Sequence, residues 1–154
     1  MAEPALKIEP RDPVPVRRFE VADLSRHGPW LMKRFATKFP DLDERQIGGY
    51  LRGLTAANGS MFLYQDNAVA LAEVVFSAGI KRVMMVQERF VWVEDRTDKD
   101  QLEDAADLYD HMKTWAKGLG AERIIVCEDS DVPKTLIEQR LGRLFDTKIS
   151  HARV

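Results

Sequence analysis

A chain of 154 residues with 45% hydrophobic and 31% charged residues is the size of one domain and can bury a core of its own. Lys and Arg number 23 against 25 acidic residues, a formal charge of −2 with no basic run, which excludes the long-range attraction a nucleic-acid binder depends on. No apolar run approaches the ~20 residues that cross a bilayer, the opening MAEPALKIEPRDPVPV lacks an apolar signal core, and the single Cys127 has no internal disulfide partner, so a cytoplasmic, reducing setting is expected.

Residues 1–16 carry Pro4, Pro10, Pro13 and Pro15 and read as an extended arm ahead of a single domain over 17–154. An arm of this kind is mobile unless something holds it, which suggests docking on a partner protein or on a second copy of the chain. Val16–Val21 suits a first strand. Pro29 suits the first turn of a helix that ends at Pro40, with Trp30, Leu31, Phe35 and Phe39 on its apolar side. Asp43 and Gln46 have the spacing of a capping box, and Ile47, Tyr50, Leu51 and Leu54 then fall on one helical face before Asn58-Gly59.

The period then changes to that of strands. MFLY (61–64) and VALAEVVF (69–76) flank a hairpin turn at Gln65–Asn67, and a second turn at Ser77–Gly79 leads to the long run from Arg82 to Val93. Simple alternation places Glu88 with Val86, Phe90 and Trp92, and Gln87 with Met85, Arg89 and Val91. From Gln101 the helical period returns with Leu102, Ala105, Ala106, Tyr109, Met112 and Ala116, closing at Gly118 and Gly120. Trp92 and Trp115 are expected to pack the sheet against this helix. IIVC (124–127) reads as a buried strand with Cys127 as a core residue, Pro133–Leu141 as a helix, and Phe145–Val154 as a last strand.

The resulting order, β, α, α, β, β, β, α, β, α, β, resembles that of the GNAT acyltransferase superfamily. The pieces that carry the resemblance are FLYQDNAVALAEV, DLYDHMKTWAKGLGAERIIV and LGRLFDTKISHARV, within a match spanning roughly Phe19 to Val154. It implies an α+β fold, with a mixed, mostly antiparallel sheet of about six strands flanked by about four helices. The chain also resembles divergent, phage-encoded members of that superfamily, which implies a virion as a second possible location.

In such proteins the strand before the central helix leads into a loop of the type Arg/Gln-x-x-Gly-x-Gly/Ala, whose N–H groups hold the pyrophosphate of acetyl-CoA. Carried over, Arg96 takes the opening position, while Lys99 and Gln101 stand where glycine and a small residue belong. The resemblance thus implies Arg96 and Lys99 as phosphate partners and Val91 and Val93, at the end of the preceding strand, as further cofactor-binding positions. The residues themselves favour a helix that caps its own end. Asp98 serves as N-cap with Gln101 three positions on, and Asp100, Glu103 and Asp104 put negative charge in the first turn.

Glu88 and Glu73 lie within apolar runs, where burial would raise a carboxyl pKa, and are the candidate bases for removing a proton from an amine. The resemblance also implies an acid, often Tyr, on the helix after the fifth strand; PKTLIEQRL contains none, leaving Ser130, Tyr64 or Tyr109 as substitutes. His27, His111 and His151 have no metal-ligand spacing, so no metal site is expected, and His111 is expected in solvent. Two functions follow: an acetyl-CoA-dependent N-acyltransferase, or a non-catalytic structural or assembly module on the same fold.

Overall fold

The structure, a computed structural model, describes residues 16–56, 61–64, 67–76, 83–126, 130–146 and 150–154. The extended arm, the turns at Asn58-Gly59 and Ser77–Gly79, and Cys127 lie outside the described residues.

One mixed sheet forms the centre, with strands β1 (Arg17–Arg18), β2 (Met61–Tyr64), β3 (Ala68–Phe76), β4 (Met84–Val93), β5 (Arg123–Ile125), β6 (Phe145–Asp146) and β7 (Ser150–Arg153). Their order across the sheet is β1-β2-β3-β4-β5-β7-β6, antiparallel except for the β4–β5 pair. The helices are α1 (Leu24–Lys38), α2 (Glu44–Ala56), α3 (Lys99–Leu119) and α4 (Lys134–Leu141), with a short 3-10 turn at Val21–Asp23. The strand count exceeds the expected six because 145–154 is not a single strand. Phe145 and Asp146 pair back onto His151 and Ser150, so this segment is a small hairpin at the edge of the sheet.

Two cores result from the alternation of the strands. Ala68, Ala70 and Ala72 face α3, whose Ala105, Ala106, Tyr109, Met112 and Ala116 are buried against them, as the helical period predicts. Small residues on the strand let the bulky side of α3 approach closely. On the other face Val69, Leu71, Phe90 and Trp92 pack against Phe35 of α1 and Ile47, Leu51 and Leu54 of α2. Trp92 therefore packs against α1 and not, as expected, against α3; Trp115 does belong to the α3 side.

The capping box on α2 forms as the spacing predicts: Asp43 N–H donates to Gln46 Oε1 at 3.0 Å and Gln46 N–H to Asp43 Oδ1 at 2.8 Å. At the far end of α3, Gly120 takes a left-handed conformation (φ 81°), the geometry that favours glycine. Pro29 does not open α1 but lies inside it, because the chain is already helical from Leu24. His27 explains the early start. It is fully buried, 6.0 Å from the Phe19 ring, and its Nδ1 accepts from Trp30 Nε1 at 3.0 Å, which holds the first turn onto the core. His111 is half-buried rather than in solvent, and burial pushes its pKa down.

Arg17 ties β1 to the 3-10 turn through a two-point contact with Asp23, at 2.7 and 2.5 Å. This guanidinium, more than the Glu20 N–H, holds the Asp23 carboxyl below its ordinary value of 3.8 despite some desolvation. A depressed folded-state pKa gives stabilisation that is present above the unfolded carboxyl's pKa and lost as pH falls through the folded one. Asp23→Asn should therefore flatten the loss of stability below about pH 4, measured by urea unfolding across pH. Because Arg17 is substantially exposed, the effect should not exceed about 1 kcal/mol.

Candidate functional site

The features that could do chemistry gather where β4 and β5 part. The two strands pair at only three positions, Met85–Arg123, Val86–Ile124 and Gln87–Ile125. Directly beyond, β4 carries a bulge: Leu71 faces Phe90 and Ala72 faces Glu88, leaving Arg89 as the extra residue. A bulge resets the side-chain alternation, so the expected grouping is overturned. Glu88 lies with Val86, Val91 and Val93 on the α3 face, while Gln87 lies with Phe90 and Trp92 on the α1–α2 face.

This reset separates the two glutamates that the sequence put forward. Glu88 is fully buried on the α3 face. Glu73 stands on the other face, partly exposed, in a cavity of about 330 Å³ between the sheet and the α1–α2 pair. Arg89 Nε donates to Glu73 Oε2 at 2.8 Å, so this carboxylate already has a cation. Gln87 and Tyr50 reach the same cavity, and burial together with the Glu73 charge raises the Tyr50 pKa above its ordinary value of 10.0. The walls are aromatic. Phe90 and Trp92, two residues apart on one strand face, stack with centroids 4.0 Å apart, and Phe35 meets them edge-on at 5.6 and 5.0 Å.

A second cavity, of about 360 Å³, shares Lys38 and Trp92 with the first and continues it toward Arg96, Ser130 and Asp131. Its floor is Asp131, a residue that the sequence reading passed over. Asp131 N–H donates to the Val91 carbonyl at 3.0 Å, and Asp131 Oδ2 accepts from Val93 N–H at 2.9 Å. Its other oxygen accepts from Arg34 Nη2 at 2.6 Å, in a contact that leaves the Asp131 side chain 5% exposed. Arg34 also donates to the Val93 carbonyl at 3.3 Å and lies 4.9 Å over the Trp92 ring. Tyr109 donates to Ser130 Oγ at 2.6 Å, and that oxygen also accepts from Val132 N–H at 3.1 Å; these bonds fix the loop that delivers Asp131. Val91 and Val93 thus present their outward polar groups to Asp131 and Arg34. Nothing in the residue pattern distinguishes Asp131 among the carboxylates of EDSD, and its pairing with Arg34 spans 97 positions.

The start of α3 is also occupied by its own side chains. Asp98 Oδ1 accepts from Asp100 N–H at 2.9 Å and from Gln101 N–H at 3.4 Å. Gln101 does not return to the N-cap N–H as a standard box would; its Oε1 accepts from Asp95 N–H at 2.8 Å. Asp95 Oδ1 accepts from the Thr97 hydroxyl at 2.6 Å and the Thr97 N–H at 3.0 Å, with the hydroxyl the main cause of its lowered pKa. Arg96 lines the second cavity and Lys99 is exposed at the helix start, and neither makes an ion pair among the described residues. Removing the cap should cost about 1 kcal/mol: Asp98→Ala is expected to lower the urea midpoint without changing the slope of the transition.

Acetyl-CoA can be tested against this geometry. A pyrophosphate needs N–H groups at the start of α3, where Asp98 already takes those of Asp100 and Gln101, and the Gln101 side chain takes that of Asp95 just before the helix. A pantetheine arm along β4 needs the groups of Val91 and Val93 that Asp131 holds. The residues present do not fit the cofactor. Among the described residues no group of His, Cys, Asp and Glu could hold a metal ion, and no helix is long and apolar enough to cross a membrane.

No family model and no curated protein matches the chain. Solved structures do. An acetyltransferase from Vibrio fischeri aligns with 77% of this chain and 98% of its own, with a TM-score of 0.53 and 15% identity. A structure from Staphylococcus aureus Mu50 assigned as an acetyltransferase aligns with 90% of this chain and 97% of its own, with a TM-score of 0.55 and 12% identity. At such identities the likeness is one of fold: the chain has the mixed α+β architecture of these acetyltransferases, with its own residues in the fork between β4 and β5.

Proposed function

We propose that this chain is a GNAT-type protein that uses the acyltransferase fold as a binding and assembly module rather than as a catalyst. The observation that carries this reading is Asp131, which takes the Val91 carbonyl and the Val93 N–H and is held there by Arg34. A helix start that supplies its own capping oxygens supports it independently. In this reading the arm over 1–16 binds a partner protein or a second copy, within a virion if the chain is phage-encoded. Deleting residues 1–15 should then abolish association in size-exclusion chromatography with light scattering; unchanged association would remove the arm from the proposal.

A second reading is acetyl-CoA-dependent acyl transfer to an amine, favoured by the place of Glu73 in an aromatic cavity beside the β4 bulge. There Glu73 would be the base that takes the ammonium proton, with Arg89 Nε already donating to its Oε2 at 2.8 Å. Isothermal titration with acetyl-CoA and with CoA separates the two. The binding-module reading expects no saturable heat at millimolar ligand; saturable binding with acetylation of an amine would establish the second reading instead.

A further inference from the structure

The outer of the two cavities, about 360 Å³, is lined by more hydrogen-bond donors than its own acceptors can meet. Its carboxylate is already used: Asp131 Oδ1 accepts from Arg34 Nη2 at 2.6 Å and Oδ2 from Val93 N–H at 2.9 Å. Arg34 makes that contact and one more, from Nη1 to the Val93 carbonyl at 3.3 Å, and a guanidinium has further N–H groups beyond these. Among the described residues nothing accepts from them.

Ser130 is left with a donor for a different reason. A hydroxyl has one hydrogen to give and two lone pairs to receive. Ser130 Oγ accepts from the Tyr109 hydroxyl at 2.6 Å and from Val132 N–H at 3.1 Å, so both lone pairs are taken and its own hydrogen remains to donate. Among the described residues no acceptor takes it. Arg96, on the loop that leads into α3, lines the same cavity and makes no hydrogen bond or ion pair among the described residues. Thr37 adds no donor, since its hydroxyl already donates to the Lys33 carbonyl at 3.0 Å.

These donors come from α1, from the loop before α3 and from the loop after β5, and one of them is fixed before any ligand arrives. Arg34 is held by Asp131, by the Val93 carbonyl and by the Trp92 ring 4.9 Å away, with its side chain 20% exposed. A guanidinium already ordered in this way loses little freedom when it takes an anion, and charge-assisted hydrogen bonds are the strong ones.

We infer that this cavity binds a phosphate-type oxyanion, held by the remaining N–H groups of Arg34, the Arg96 guanidinium and the Ser130 hydroxyl. Several oxygens around one centre can meet donors from three segments at once, where a carboxylate has only two. The site uses none of the N–H groups at the start of α3, which Asp98 takes. The inference rests on the binding-module reading, in which this cavity is free of a cofactor.

Inorganic phosphate, O-phosphoserine and acetate are titrated into the full chain, following the Nε–H signals of Arg34 and Arg96 by nuclear magnetic resonance. Phosphate and O-phosphoserine should both shift them saturably. Tighter binding of O-phosphoserine would assign the oxyanion to a phosphorylated side chain, and equal or weaker binding to the free ion; either supports the site. Acetate should bind at least about tenfold more weakly than phosphate. Arg96→Gln should weaken phosphate about tenfold, with Arg96→Lys recovering part of the loss. Arg123→Gln removes the same charge from an exposed place on β5 and should leave phosphate binding unchanged. No saturable shift with phosphate, or equal weakening by Arg123→Gln, would overturn the inference. A parallel acetyl-CoA titration separates this failure from that of the reading beneath it. Silence with phosphate and with acetyl-CoA sinks the inference alone. Movement of Arg34, Arg96 and the Asp100 and Gln101 N–H groups by acetyl-CoA would return the cavity to a cofactor and sink both.

Discussion

Asp131→Ala should destabilise the fold by about 3 kcal/mol, because breaking a buried ion pair from one side leaves the other charge desolvated and uncompensated. Arg34, with its side chain 20% exposed, would lose its partner, and Val93 N–H would lose its acceptor in the same step. The contribution of the charge itself can be separated from that of the shape. Asp131→Asn retains an oxygen for Val93 N–H and should cost clearly less than alanine. A double-mutant cycle with Arg34→Met should show coupling on the order of 1–3 kcal/mol in urea unfolding. Additive losses would mean that Arg34 and Asp131 do not act as one latch.

Phe35→Ala should cost about 3–5 kcal/mol, the range for an aromatic removed from a packed core. Phe35 is 4% exposed and meets four rings: Phe90 at 5.6 Å, Trp92 at 5.0 Å, Tyr50 at 5.7 Å and Phe39 at 6.3 Å. It joins α1 to α2 and to the sheet, and no neighbouring backbone can collapse into its place without moving a helix. Leucine should recover part of the loss by restoring volume without the edge-on ring contacts. Thermal and urea unfolding of the three proteins check this, and a loss below about 1 kcal/mol would show that the aromatic cluster is not the centre of this core.

The elements were legible from the sequence wherever one face of a helix or strand repeats without interruption. The stripe from Ala105 to Ala116 defined α3, and the Asp43–Gln46 spacing defined the start of α2, because both signals are local. Three features were hidden, for different physical reasons. The Arg89 bulge inserts one residue into β4 without a glycine or proline to mark it, so simple alternation grouped Glu88 with Phe90 and Trp92, which lie on the opposite face of the sheet and pack against α1. The first turns of α1 depend on His27 being buried under Phe19, a tertiary effect that overrides the Pro29 signal. The hairpin at 145–154 shows no turn residue of the glycine type, and it read as one strand.

The candidate site was half legible. That the start of α3 would cap itself followed from Asp98, Gln101 and the lack of glycine, and the structure adds only that Gln101 reaches back to Asp95. Glu73 was named as a base candidate and does face a cavity, but its pairing with Arg89 depends on the bulge. The link from Arg34 through Asp131 to β4 was not legible at all, since it joins a helix residue, a loop carboxylate and two backbone groups from β4 that are distant along the chain.

We propose that the fork between β4 and β5 is closed to acetyl-CoA by the chain itself. The most direct test is to follow the backbone N–H signals of Val93, Asp100, Gln101 and Asp131 by nuclear magnetic resonance while acetyl-CoA is added to millimolar concentration. The account expects all four to stay in place, with the Val93 N–H remaining protected from exchange by Asp131. Saturable movement of Val93 together with the two α3 signals would contradict it, because that pattern requires a ligand to displace Asp131 and the Asp98 cap at once.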